Sequence, residues 1–189
     1  MPVTPIVSLH ELAADYSQPV ANGLLEVGFF EQVPKGATVF LKPNLTFPEY
    51  RPGVMTSYPC LEAVTKLLIS KGYQVIIGEA DSGGYNRFSM DEVFKGLGID
   101  KLAQETGAKL VNLSFTEPEW LEVRAGWRRL KVPVPRLLLH EIGAFITLPV
   151  PKIHCNTTVS MSIKNQWGCI QEPNVRLKLH PYFAEVMYQ

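Results

Sequence analysis

Two basic side chains stand just after apolar segments and a third stands further along the chain, and each could bind an anion or move a proton. Lys42 directly follows the apolar run Ala37–Leu41, and His154 follows a proline-rich tail behind a second apolar run. Lys164 stands further along in a polar stretch. A lysine can hold a phosphate or a carboxylate, and histidine titrates near neutral pH and is a common catalytic acid or base. Alternatively, the lysines lie on solvated surfaces and the histidine is only a hydrogen-bonded structural residue.

A glycine-rich run, G-E-A-D-S-G-G at 78–84, offers a second kind of chemistry. Asp81 or Glu79 could act as the acid or base counterpart of His154. Backbone amides near Ser82 and Gly83 could cradle an anion, because glycine lets a ligand approach the backbone closely. The run matches neither of the common glycine-rich phosphate-binding motifs. The alternative is a turn in which Asp81 caps the next helix.

Two asparagines adjoin the lysines. Asn44 follows Lys42 by two residues, and Asn165 directly follows Lys164. Either amide could hydrogen-bond a ligand, although Asn44 could instead bond the backbone of its own loop. Near the C-terminus there is a small basic cluster of Arg176, Lys178 and His180. It could bind an anion, but it is interpreted as solvated charge.

Hydrophobic patterning predicts the elements that position these residues. Buried strands are predicted at 37–41, 73–77, 109–113 and 144–148, and a β-ribbon or edge strands at 120–134. Helices are predicted at 17–30, 59–70, 91–97, 99–106, 157–165 and 182–188. Alternation of strands and helices predicts one α/β domain over residues 1–189, with a mainly parallel sheet covered by helices on both faces. Ligands bind at the carboxyl ends of such strands, so the polar tails should converge on one rim.

Composition excludes several classes of function. Of the 189 residues, 18 are Lys or Arg and 18 are Asp or Glu, so the basic excess typical of nucleic-acid binders is missing. No apolar run is long enough to span a membrane, and no signal peptide is evident at the start. The three cysteines contain no C-x-x-C pair and are too few for a four-thiolate cluster. We therefore expect a cytoplasmic protein with no iron–sulfur cluster in this chain alone, and no metal ligands are assigned.

Three segments taken together resemble the signature of the DUF362 family. They are V-F-L-K-P-N-L at 39–45, I-T-L-P-V-P-K-I-H at 146–154 and T-V-S-M-S-I-K-N-Q-W-G at 158–168. The resemblance covers nearly the whole chain and implies that the matching signature positions are Lys42, Asn44, His154, Lys164 and Asn165. Members of this family are mostly uncharacterised. Many carry ferredoxin-type cysteine segments, and the fold is similar to the N-terminal part of nickel-dependent lactate racemase.

The chain also departs from the family pattern. The cluster cysteines are missing, and one basic position before His154 is shifted or absent. By resemblance, the family domain continues for about a hundred residues beyond Gln189. The resemblance thus implies that the chain is the N-terminal part of a longer family domain, as a truncated form, a short variant or half of a split protein. The missing C-terminal half is one expected partner.

These observations support a main hypothesis and three alternatives. In the main one, the chain is an enzyme for a small anionic metabolite, which Lys42 and Lys164 hold. His154 acts as acid or base, with Asp81 or Glu79 as its counterpart. The first alternative is a redox- or cofactor-associated binding partner of an iron–sulfur subunit, non-catalytic alone. The second is a scaffold whose polar rim only caps strand ends, and the third is nickel-dependent racemase chemistry. The sequence names no cofactor.

Overall fold

The structure, a computed structural model, describes residues 5–12, 15–83 and 86–188. Its helices are, in chain order, α1 (Ser17–Glu26), α2 (Phe29–Gln32), α3 (Tyr58–Ser70), α4 (Met90–Gly96), α5 (Ile99–Thr106), α6 (Arg136–His140), α7 (Ser162–Gln166), α8 (Pro173–Leu179) and α9 (Phe183–Tyr188). Its strands are β1 (Thr38–Pro43), β2 (Gln74–Glu79), β3 (Lys109–Asn112), β4 (Pro118–Ala125), β5 (Arg128–Pro135), β6 (Ala144–Leu148), β7 (Lys152–His154) and β8 (Thr158–Ser160).

A parallel sheet of four strands, in the order β3-β2-β1-β6, forms the centre of the fold. Val39 of β1 lies opposite Val75 of β2 on one side and Ala144 of β6 on the other. The chain adds β2 and β3 on one side of β1 and then crosses back to place β6 on the other side. The direction of strand addition therefore reverses between β1 and β6. In open parallel sheets, ligands bind in the crevice beyond such a reversal.

Successive side chains of the strands pack on opposite faces of the sheet, as the pleat requires. Val39 and Leu41 belong to the larger core, to which helices α1 to α5 contribute apolar side chains. Phe40 and Ile76 belong to a smaller core on the other face, together with Leu137 of α6. Helices thus cover both faces of the sheet, and the predicted α/β class is confirmed.

The antiparallel ribbon of β4 and β5 holds the C-terminal part of the chain. Val123 of β4 and Val132 of β5 pack in one cluster with Trp167, which follows α7. Gln171 extends this attachment, because its Nε2 donates to the carbonyl oxygen of Thr116 at 2.6 Å. The ribbon therefore fixes residues that lie far along the chain beside the ends of the central strands.

The four predicted central strands all form, each within two residues of its expected bounds. Two predicted helices differ from the structure. The helix expected at 17–30 ends at Glu26, because Gly28 adopts φ 71° and a short second helix follows it. The helix expected at 157–165 is wrong. Residues Thr158–Ser160 instead pair antiparallel with Lys152–His154, and the helix begins only at Ser162.

Candidate functional site

Polar tails of three neighbouring strands meet at one cleft of about 250 Å³. Lys42 and Asn44 come from the end of β1, Ser82 and Gly83 from the chain after β2, and His154 from the chain after β6. The structure therefore brings together most of the predicted site residues at the carboxyl edge of the sheet. The other polar residues that line the cleft are Thr46, Glu79, Asn86, Lys152, Ser160, Lys164, Asn165 and Arg176.

Lys42 lies beneath this cleft in an ion pair rather than at its mouth. Its side chain is 1% exposed, and its ammonium group contacts the carboxylate of Glu79, which is 5% exposed. Lys42 Nζ also donates to the carbonyl oxygen of Pro43 at 3.0 Å. A buried pair of this kind is costly to break, because removal of one partner leaves the other charge buried and unpaired. The pair therefore neutralises the floor of the cleft.

Gly168 packs directly against this ion pair. A Cβ atom at this position would lie 2.4 Å from Glu79 Oε1 and 2.9 Å from Lys42 Nζ. Real Cβ atoms do not approach other atoms so closely, so only glycine fits without moving the pair. The glycine of the third signature segment thus has a steric reason, which sequence patterning did not reveal.

Asn165 fastens helix α7 to the ends of two central strands. The residue is buried, and its Nδ2 donates to the carbonyl oxygen of Lys42 at 3.0 Å and to Thr147 Oγ1 at 2.8 Å. Asn44 has a similar local role, because its Nδ2 donates to the carbonyl oxygen of Val54 at 3.0 Å. Both residues line the cleft, and their predicted contacts with a ligand stay predictions.

The hairpin of β7 and β8 forms one wall of the cleft. Lys152 and His154 line the cleft, whereas Ile153 between them is 91% exposed, as alternation along a strand requires. Lys152 Nζ donates to the carbonyl oxygen of Val54 at 2.5 Å. Burial lowers the pKa of Lys152; the nearby Glu79 raises it and Lys42 lowers it further.

The surroundings of His154 lower its pKa and so favour the neutral imidazole. Burial is the main cause that lowers its pKa, followed by repulsion from Lys164, His180 and Lys152. Its Nδ1 accepts a hydrogen bond from the backbone N–H of Asn156 at 3.1 Å. This hydrogen bond leaves Nε2 as the protonated nitrogen of the neutral ring, where it can donate a hydrogen bond to a ligand.

Lys164 has a strongly perturbed ammonium group. Its pKa is lowered from 10.5 to about 8, mainly by burial. Repulsion from Arg176 and Lys152 lowers the pKa further, whereas Cys155 raises it. Its Nζ lies 3.2 Å from His180 Nε2 and 5.5 Å from the ring centroid of Trp167. A lysine whose pKa is near neutrality can exchange protons, which an ordinary lysine does poorly.

Arg176 corrects one interpretation of the sequence. The sequence favours solvated charge for Arg176, Lys178 and His180, yet Arg176 is buried and lines the cleft, whereas Lys178 is exposed. Its guanidinium donates to the carbonyl oxygen of Asp81, and burial lowers its pKa. The signal that sequence patterning missed is helical spacing, because Arg176 lies three residues before the buried Leu179.

Asp81 is not among the residues that line the cleft. Its Oδ1 accepts from the backbone N–H of Met90 at 2.6 Å and from Asn112 Nδ2 at 3.0 Å. The carboxylate therefore holds the start of helix α4. This contact agrees with the alternative prediction, in which Asp81 caps the next helix. Glu79, two residues earlier at the end of β2, supplies the carboxylate that lines the cleft.

Ligands for a metal ion are not assembled in the described part of the chain, where no group of three or more His, Cys, Asp or Glu side chains is suitably placed. Cys60, Cys155 and Cys169 are free thiols. Burial raises the pKa of the Cys169 thiol to about 12. Among the helices of residues 5–12, 15–83 and 86–188, none has the length and apolar character needed to cross a membrane.

These features define an α/β protein with a cationic cleft where the strand order of a parallel sheet reverses. The family described as a domain of unknown function, DUF362, matches residues 39–189. The chain belongs to this family, as the three signature segments indicated. No curated protein and no solved structure matches the chain.

Proposed function

We propose that this chain is an enzyme that binds a small anionic metabolite in the cleft and exchanges protons with it. The observation that carries the proposal is the charge of the cleft lining. Lys152, Lys164 and Arg176 all line it, and the acidic residue in its described lining, Glu79, is already paired with Lys42. The chain as a whole has a formal net charge of zero, so this local excess of positive charge is not a general property of the surface.

Electrostatics support an anion as the ligand. The pKa values of Lys152, Lys164 and Arg176 are all lowered, with burial as the first cause of each. Charged groups that are partly removed from water and repel one another gain most from a neutralising partner. A phosphate or carboxylate among them would stabilise the charged forms. Such charge-assisted hydrogen bonds are stronger than those between neutral groups.

Acid–base chemistry is supported by two side chains with different protonation states. Near neutral pH the lowered pKa of His154 favours the neutral imidazole, whereas Lys164, with a pKa of about 8, is mainly charged and can release its proton. Two titratable groups whose environments differ in this way are a common arrangement for proton transfer. We assign Lys164 to binding and proton exchange and His154 to proton exchange. The role predicted for Asp81 is not part of the proposal. The alternative, a partner of an iron–sulfur subunit, stays a prediction.

The test is calorimetric titration of the chain with inorganic phosphate and with malonate. We expect binding that weakens as salt is added. Lys152→Met and Lys164→Met should each reduce the affinity by about tenfold or more, because hydrogen bonds to charged groups are worth about 1.5–3 kcal/mol. The matched control is Lys178→Met, which removes an exposed lysine outside the cleft and should leave the affinity unchanged.

Two results would contradict the proposal. A cooperatively folded chain that binds neither anion would remove its basis. Equal losses in Lys178→Met and Lys164→Met would mean that the anion binds through general surface charge. Proton exchange has a separate check, because His154→Gln should retain anion binding and lose turnover once a substrate has been found.

A further inference from the structure

An apolar groove of about 610 Å³ lies next to the cationic cleft. Its apolar lining residues are Val159, Met161, Ile163, Pro181, Phe183 and Ala184. Its polar lining residues are Asn156, Thr157, Ser162, Lys164, His180 and Glu185. The volume lies within the range of about 300–1,000 Å³ that small-molecule sites occupy.

The exposed apolar side chains of this groove are concentrated in one short segment. Val159 is 51% exposed, Met161 52% and Ile163 60%, within five consecutive residues. Isolated exposed apolar residues are ordinary on protein surfaces, whereas clustered ones mark binding sites. This cluster begins on β8, whose partner strand β7 carries Lys152 and His154 of the cleft.

Lys164 joins the two cavities. It lines both the cleft and the groove. Its Nζ lies 5.5 Å from the ring centroid of Trp167, which lines the cleft, and 5.5 Å from that of Phe183, which lines the groove. A charged group bound at Lys164 would therefore have cationic surface on one side and apolar surface on the other.

We propose that the ligand of the cleft is an amphipathic anion, a phosphate or carboxylate with an apolar tail, and that the tail lies in the groove. This inference rests on the proposed function, because the head group occupies the cationic cleft. The continuity through Lys164 favours a single ligand over a separate protein partner. Glu185 at the groove also disfavours a second anionic group there, which fits an uncharged tail.

The test compares methyl, butyl and octyl phosphate by calorimetric titration of the chain. Complete burial of one methylene raises affinity about fourfold. Because the groove is open on one side, we expect a smaller gain, which should still make octyl phosphate at least about tenfold tighter than methyl phosphate. The tail-dependent gain should fall in Ile163→Gln. The control is Leu25→Gln, which changes a helical residue of similar exposure, 58% against 60%, outside the groove.

The outcomes separate this inference from the proposed function. If methyl phosphate binds and the longer tails add less than twofold, the groove does not hold a tail and only the inference fails. If neither methyl nor octyl phosphate binds, both fail. Equal gains in Ile163→Gln and Leu25→Gln would also overturn the inference. Ile163→Gln could instead change the sedimentation coefficient while octyl phosphate keeps its higher affinity over methyl phosphate. That result would overturn the inference and identify the groove as a contact between two copies of the chain.

Discussion

The protonation of Lys164 makes a quantitative prediction about stability. In the folded chain its pKa is about 8, mainly because of burial, whereas its ordinary value is 10.5. Between these two values the unfolded chain binds more protons than the folded chain. The free energy of unfolding must therefore rise with pH across this window. Below pH 8 the charged lysine is a standing cost to the fold, and the cost disappears as the folded form loses its proton.

The size of the rise follows from the pKa change. At about 1.4 kcal/mol for each pKa unit, the shift from 10.5 to about 8 sets a ceiling of about 3 kcal/mol. The side chain is only partly buried, so water screens its interactions, and we expect about 1 kcal/mol. The cation–π contacts of Lys164 with Trp167 and Phe183 favour the charged form, so they also reduce the expected rise in the free energy of unfolding.

The assay is urea unfolding of the wild-type chain and of Lys164→Met, at about pH 7 and again at about pH 10. From the lower to the higher pH, the free energy of unfolding of the wild type should rise by about 1 kcal/mol more than that of the variant. Groups that titrate in both chains cancel in this difference, as does any constant effect of methionine packing. Lys178→Met measures the background change for an exposed lysine.

One result would refute the argument. If the difference between wild type and Lys164→Met is flat or reversed across this pH range, Lys164 is not a lysine with a lowered pKa. Its assigned role in proton exchange would then fail as well. Saturating phosphate should shrink the gain, because a bound anion stabilises the charged form. For the same reason, phosphate affinity should decline as pH rises through about 8.

Two further predictions concern the floor of the cleft. Lys42→Met should destabilise the chain by about 3–5 kcal/mol in urea unfolding, because it leaves the carboxylate of Glu79 buried and unpaired; adding Glu79→Gln should recover part of the loss. Gly168→Ala should cost about 1–3 kcal/mol, because its Cβ would overlap the ion pair. Gly23→Ala, where a Cβ meets only ordinary contacts within a helix, should instead stabilise by about 0.5–1 kcal/mol.

Each of these predictions has a clear opposing result. A Lys42→Met chain as stable as the wild type would show that the buried pair contributes little. In that case adding Glu79→Gln would bring no recovery. Equal stability of Gly168→Ala and Gly23→Ala would mean that the segment after α7 can move away from the pair without cost.

Much of the central sheet could be predicted from the sequence alone. Buried parallel strands are short runs of apolar and β-branched residues, and Ala144–Leu148 was predicted with its observed bounds. Because parallel strands present their carboxyl ends at one edge, the positions of Lys42, Asn44 and His154 on a common rim also followed from the sequence. The physical reason is that a strand buried on both faces needs a continuous run of apolar residues, which is visible in a short segment of sequence.

Pairing between distant segments could not be predicted in the same way. Thr158–Ser160 becomes a strand because Lys152–His154 lies beside it, and Thr158 takes φ 62°, which no helix contains. Local residue types alone favoured a helix there. The exposed face of the resulting hairpin, and with it the apolar groove, is therefore a product of tertiary structure.

The sequence by itself determined the class of fold, the family and the rim on which the polar residues collect. Only the tertiary structure decided which residues face the cleft. It buried Arg176 there, turned Asp81 toward the start of α4 and paired Lys42 with Glu79 beneath the surface. The physical reason is that burial and charge pairing depend on distances between segments far apart in the chain. No local pattern of residues encodes those distances.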